Sequence, residues 1–397
     1  MKKIVFLLLS SCLFFCTSAQ EKLLKAESIT LDMKSLAVQK INLLQKDEAL
    51  MPALDNLIKL CDKNLSFGPY SVMDKKDFPP SGDKHDYMSL APYWWPDPNV
   101  AGGIPYIRKD GEINPEIRDY PDKENMPKLC GKVYELSLGF YFSENEKYAK
   151  KAMELIRVWF LDPATKMNPN VNYGQAVKGI YEGRAEGLID TRHFIYLLDG
   201  VRLLKKSKSW SKQDDAALKS WFSEYYQWMN RSKNGVEEKN AKNNHGIWFD
   251  AQALSITNYL DSLEESKKII QRALGRLSEQ MDPDGSFPQE LARTTSLHYS
   301  VFVLNAFESI AQLSENINVD FRNMKLRNGM TLKNAYDFIT PYLIEKKAWT
   351  WPDIKHFDFE NAYPLLLSAS KHYICTECLP YVNGHTPEAE KLVLKLF

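Results

Sequence analysis

The chain has 397 residues, 44% hydrophobic and 26% charged, with 51 Lys and Arg set against 51 Asp and Glu. These proportions exclude a disordered or low-complexity chain, and the length suits one large domain or two ordinary ones. The balanced charge excludes a bulk positive field of the kind that draws in nucleic acid, so an acidic partner must be met by a local cluster of cations.

The chain opens with a pattern expected of an export signal over residues 1–19, leaving 20–397 as one helical domain. Lys2 and Lys3 supply the positive start, Ile4 to Leu9 with Leu13 to Phe15 the apolar stretch, and Thr17-Ser18-Ala19 the small residues before a cut ahead of Gln20. The stretch falls short of the ~20 apolar residues that span a bilayer, so the expectation is a periplasmic protein without membrane insertion. Cys12 and Cys16 open a lipoprotein alternative. The phenylalanines ahead of Cys16 are too bulky for a lipidation box, and Leu9-Ser10-Ser11-Cys12 leaves a very short signal, which favours plain secretion. Loss of Lys2 and Lys3 makes the mature chain slightly acidic.

Apolar residues then recur at helical spacing over 34–63, 129–143, 146–160, 184–206, 212–230, 245–260, 263–281, 297–315, 332–345 and 359–373. Ser211 ahead of Asp214 and Asp215, and Thr331 ahead of Asn334, predict helix starts. Strand signals are sparse. Helices of this length on short connections predict an all-α chain of hairpins, closed into an α/α toroid around a central cleft. An open solenoid is the competing architecture, but no self-similar period is present. Near the C-terminus, Cys375 and Cys378 have CxxC spacing. Without two further zinc ligands or a βαβ context, the pair reads as structural, either a local disulfide or two buried thiols.

One segment departs from the helical pattern. Residues 79–127 hold nine of the chain's 20 prolines, with Gly102, Gly103 and Gly111. Proline resists helix interiors, and so long a stretch without helix is often functional. Tyr93, Trp94 and Trp95 lie within it. Their rings suit the apolar faces of sugars, and equally suit pinning a long loop to the helical body. Tyr106 and Arg108 are close enough in sequence to share the same wall.

Three further clusters carry chemistry. In Gly183 to His193, Arg184 has the fork to grip a carboxylate, and Gln175 just upstream offers polar contacts. Pairs of Arg184 with Glu186 and of Asp190 with Arg192 are the structural alternative. Asn243 and Asn244 precede an apolar helical pattern and predict an N-terminal cap, leaving His245 in the first turn. Arg293 precedes Thr294 to Ser296, which predict a second cap, with His298 and Tyr299 in the first turns of the next helix. In a toroid, helix starts on one rim converge on one cleft.

Taken together, the segment from His85 to Pro115, the stretch from Gly183 to Asp190, Asn243-Asn244-His245, and Arg293 with Tyr299 resemble the alginate lyase superfamily. These are secreted, all-helical polysaccharide lyases that include polysaccharide lyase families 5 and 38. The resemblance runs from about His85 to about Trp351, although the length and the Pro-rich segment depart from family 5. It implies a catalytic centre of Asn244, His245, Arg293 and Tyr299. The residue types themselves point to Tyr93, Trp94, Trp95, Tyr106, Arg108, Gln175, Arg184, Asn243 and His298 as the substrate-binding positions.

The implied partner is an acidic polysaccharide, and neither a metal nor a cofactor is required. The implied reaction is β-elimination of a 1,4-linked uronate polymer, alginate first among them. Asn244 and Arg293 would neutralise the uronate carboxylate. Tyr299, its phenolate favoured by Arg293, would carry the proton. His245 would serve as base where the C5 hydrogen and O4 leave from opposite faces. Two other readings use the same residues differently. A toroidal glycoside hydrolase would draw two carboxylates from Glu186, Asp190, Asp250 and Glu290, and a non-enzymatic glycan-binding protein would use the aromatics alone.

Overall fold

The structure, a computed structural model, describes residues 31–385, so the expected signal segment with Cys12 and Cys16 lies outside the described residues. Its helices in chain order are α1 (Met33–Leu44), α2 (Met51–Asn64), α3 (Asp122–Ser143), α4 (Glu146–Ile156), α5 (Phe194–Leu204), α6 (Lys212–Arg231), α7 (Lys233–Lys239), α8 (Asn244–Tyr259), α9 (Leu263–Gln280), α10 (Pro288–Leu291), α11 (Ser296–Glu315), α12 (Leu332–Leu343), α13 (Tyr363–His372) and α14 (Cys378–His385). Helices α3, α5, α8, α11 and α13 each pack on the next to form an inner layer, with α4, α6, α9 and α12 outside them. This is the α/α toroid. None of the described helices is long and apolar enough to cross a membrane.

The layering follows from the sequence. Helix α8 has no exposed polar face, and every residue in it except His245 is buried, as expected of a helix enclosed by protein. Its neighbour α9 is amphipathic and turns Ile269, Ile270, Ala273 and Leu277 inward. Asp250 of α8 is fully buried, and its two oxygens accept from Arg272 and Arg276 of α9 at 2.7 Å each, which locks the outer helix to the inner one. Ser211 and Thr331 both form capping boxes, with Asp214 and Asn334.

Several boundaries differ from the helical periodicity. The pattern over 34–63 is broken between α1 and α2. Residues Ala185–His193 form a 3-10 segment before α5 begins. Helix α3 starts at Asp122 and carries Pro127 inside it. The proline sits in the second turn, where it removes one intrahelical hydrogen bond, that to the Lys123 carbonyl. Cys375 and Cys378 form a disulfide at the start of α14.

The Pro-rich segment contains more strand than its sequence suggests. β1 (Met88–Leu90) pairs in parallel with β4 (Tyr173–Ala176), and β2 (Trp94–Trp95) pairs antiparallel with β3 (Ile107–Arg108). The segment is anchored where it meets α3. Lys75 lies 3.0 Å from Asp122, both side chains are almost wholly buried, and Asp122 also accepts from the Met88 amide at 3.0 Å. Removing one partner of a buried ion pair leaves an uncompensated charge, at a cost of about 3–5 kcal/mol. Lys75→Met is therefore expected to lower Tm by several degrees. An unchanged thermal denaturation curve would show that this anchor contributes nothing.

Candidate active site

The starts of α8 and α11 open onto one cleft of about 1390 Å³, lined by Asn243, Asn244, His245, Arg293, His298 and Tyr299 together with Tyr93, Trp94, Arg108, Gln175 and Arg184. The two clusters separated in sequence thus face a common space. The cap expected at Asn243 is present, its side chain accepting from the His245 amide at 3.2 Å. The cap expected from Thr294 to Ser296 is not. Thr295 occupies the N-cap without a side-chain bond. Thr294 donates instead to Asp110, and Ser296 to the Pro352 carbonyl. These hydroxyls tie the start of α11 to two loops.

His245 is the residue of α8 left partly open, and its Nδ1 lies 2.7 Å from Glu238 Oε1 at the end of α7. Burial disfavours the imidazolium, but the charge and hydrogen bond of Glu238 outweigh it, and the pKa of His245 is raised. Burial likewise raises that of Glu238, opposed by His245. When Nδ1 carries the proton donated to Glu238, Nε2 is the nitrogen with a free lone pair. Asn244 is fully buried. Its backbone N–H and its side-chain Nδ2 both donate to Glu290 at 2.8 Å, which fixes the amide and leaves Oδ1 without a hydrogen-bond partner.

Arg293 lies over Tyr299, its Cζ 3.6 Å from the ring centroid. Its Nε and one Nη donate to Asp110 at 3.0 and 2.7 Å, and Arg108 donates to the same carboxylate at 2.8 Å. Both guanidinium groups hold the Asp110 carboxyl well below the usual carboxylate range despite its burial. The fork expected to be open for a ligand carboxylate is therefore largely occupied by Asp110. Tyr299 donates to the Tyr93 hydroxyl at 3.0 Å. Burial, joined by Tyr93, pushes the Tyr299 phenol far up, and Arg293 only partly opposes this. The lowering of the phenol pKa expected from the Arg293 cation is thus reversed, because desolvation of the phenolate outweighs one nearby cation.

The surrounding wall is built by the Pro-rich segment and β4. Gln175 adopts a left-handed backbone with φ of 47°, held by its amide donating to Ser89 and its side chain to Asp190. Arg184 donates to Gln175 and to Glu186 and sits 6.0 Å from the Trp94 ring. A Cβ on Gly187 would lie 2.4 Å from the Gly174 carbonyl oxygen, so only glycine lets the 3-10 segment reach β4. His298 stacks on Phe302, and burial lowers its pKa.

Two residues expected in the wall do not line the cleft. Tyr106 is buried, donates to Glu116 at 2.6 Å and packs with Ala91 and Val177. Trp95 donates to the Glu112 carbonyl and lies under Lys109. Trp95 pins the loop to itself, and Tyr106 also pins it to Val177 just after β4. Of the carboxylates a hydrolase would use, Asp250 is sealed by two arginines, Glu290 clamps Asn244, and Asp190 accepts from Tyr87, Ser89, Lys123 and Gln175. Glu238 and Asp110 were not singled out in the sequence, and Glu290 was expected only as a hydrolase carboxylate and not as the partner of Asn244. Their only sequence signal is the abundance of acid residues near the basic and amide clusters.

The chain has relatives among known proteins. The family model described as alginate lyase matches residues 71–349. An alginate lyase from Bacteroides ovatus is 36% identical, with 94% of this chain and 99% of that chain covered and a TM-score of 0.87. Alginate lyase A1-III from Sphingomonas species A1 is 14% identical over 83% of this chain and 91% of its own, with a TM-score of 0.52. A variant of A1-III complexed with a tetrasaccharide aligns with a TM-score of 0.51 at 14% identity, over 80% of this chain and 87% of its own. These two likenesses show the fold alone. A comparison with curated proteins finds no match.

Proposed function

Because the chain belongs to the alginate lyase family, and so is a polysaccharide lyase, we propose that its substrate is alginate, cut by β-elimination to leave 4,5-unsaturated uronate ends. The observation that carries this reading is the meeting of the Glu238–His245 pair and the Arg293–Tyr299 stack in one cleft. The solved B. ovatus relative is itself described as an alginate lyase. The A1-III complex with a tetrasaccharide supports an oligosaccharide ligand for this fold.

In this reading the C5 hydrogen of a bound uronate lies between Tyr299 and His245. Its removal builds charge on the carboxyl oxygens, and one well-aimed donor there is worth about 2.7–4 kcal/mol. Asn244 has one N–H left for that task once Glu290 has taken the other. Arg293, with its fork on Asp110, contributes its charge chiefly through the face of Tyr299. Where hydrogen and leaving oxygen share a face, Tyr299 serves both ends. Where they are opposed, His245 is the base and Tyr299 the acid. Export to the periplasm, read from residues 1–19, belongs to the same proposal.

The test is ultraviolet absorbance of the conjugated double bond during incubation with poly-mannuronate, poly-guluronate and glucuronan. Absorbance is expected to rise with one or both alginate polymers. A rise with glucuronan alone would move the substrate to another polyuronate, and chain cleavage with no rise would overturn the elimination itself.

A further inference from the structure

Most cations in the cleft are held by a carboxylate. Arg184 pairs with Glu186, Lys123 with Asp190, and Arg108 and Arg293 with Asp110. Arg192 differs. The pairing with Asp190 expected from its spacing is absent, because Asp190 spends one oxygen on Lys123 and Gln175 and the other on Tyr87 and Ser89. Arg192 instead donates to the Ile189 carbonyl at 3.1 Å and lies over Phe302, its Cζ 5.5 Å from the ring centroid. Among the described residues no carboxylate forms an ion pair with it, although burial disfavours its charge. Asp190 opposes the burial only from beyond ion-pair distance, so the guanidinium keeps a charge that an anionic ligand in direct contact would stabilise.

The place of Arg192 in the cleft suggests what the anion is. Phe302 lies on α11 beside Tyr299, with ring centroids 6.3 Å apart, so the guanidinium and the phenol both border the Phe302 ring in the same cleft. Burial holds His193 down to about 3 and lowers His298, so neither shares the charge at neutral pH. Tyr196, 45% exposed, adds an open ring to the same wall. We propose that Arg192, framed by Phe302 and Tyr196, is a subsite for the carboxylate of the uronate adjacent to the one that reacts. The proposal rests on the polyuronate reading of the cleft.

The test uses the full chain carrying Tyr299→Phe, to suppress turnover, and measures calorimetric binding of a tetramannuronate and of its carboxyl-reduced form. Adding Arg192→Met keeps an apolar stem over Phe302 and removes the charge. It is expected to weaken the acidic tetrasaccharide tenfold or more, in line with a lost charged hydrogen bond, and to leave the reduced form unchanged. Equal affinity for the acidic ligand with and without Arg192, or equal losses for both ligands, would overturn the subsite. Should Arg192→Met fail to fold, Arg192→Lys carries the test. A point charge without the planar fork weakens the acidic ligand several-fold and spares the reduced one, and unchanged affinity again overturns the proposal. Failure of the polyuronate reading looks different. The Tyr299→Phe chain then binds no tetramannuronate, and the unsubstituted chain releases no unsaturated product from any polyuronate.

Discussion

Tyr299→Phe is expected to cut the release of unsaturated uronate by roughly 10²- to 10⁴-fold, the range for loss of a positioned acid–base group, with the helical fold intact. The substitution removes one hydroxyl and little else. Its ring still packs under Arg293, and the lost bond to Tyr93 is worth about 1 kcal/mol. The structure adds a condition to the role of Tyr299. Burial favours the protonated phenol, so the group starts as an acid, and a base role requires that its proton leave on substrate binding. Tyr93, which accepts that proton's hydrogen bond, offers the first step of such a path. Initial rates by absorbance, with circular dichroism and Tm as folding controls, decide the matter. A folded variant with near-normal rates would remove Tyr299 from the chemistry.

The parts of this site that were legible in sequence are the local ones. The Asn243 cap, the inward-facing pattern of α8 and the first-turn positions of His245 and Tyr299 all follow from spacing along one helix. The layering of the toroid was not assigned from that periodicity, although it has the same physical origin, because a helix without a polar face has to be enclosed and an amphipathic one has to cover it. What spacing does not carry is the choice of partner across the ring. Arg293 and Asp110 are 183 residues apart, and nothing local distinguishes Asp110 from other acids of the Pro-rich segment. Glu238 sits on a seven-residue helix with no strong pattern. Trp95 and Tyr106 show the same limit from the other side. Composition marks them as aromatic, and only the β2–β3 pairing and the burial of Tyr106 turn them away from the cleft.

The second large effect separates the two proton routes. His245→Ala is expected to lower the rate on poly-guluronate by roughly 10²- to 10⁴-fold, and the rate on poly-mannuronate by clearly less, because Tyr299 alone serves both ends of the same-face elimination. Equal losses on the two polymers would refute the divided role. The Glu238 contact gives this prediction a pH signature. His245 acts as a base only when neutral, and Glu238 raises its pKa above the ordinary value of 6.5. The rate on poly-guluronate should therefore climb as pH rises through a value above 6.5. Glu238→Gln removes the carboxylate that holds the imidazolium and leaves burial, which acts in the opposite direction, so the climb should move to lower pH. The glutamine can still accept a hydrogen bond from Nδ1, so ring orientation is largely kept and the shift reports charge. A merely structural Glu238 would lower the rate at every pH without moving the limb. A limb that shifts on poly-guluronate and stays fixed on poly-mannuronate would place His245 in the opposite-face route alone.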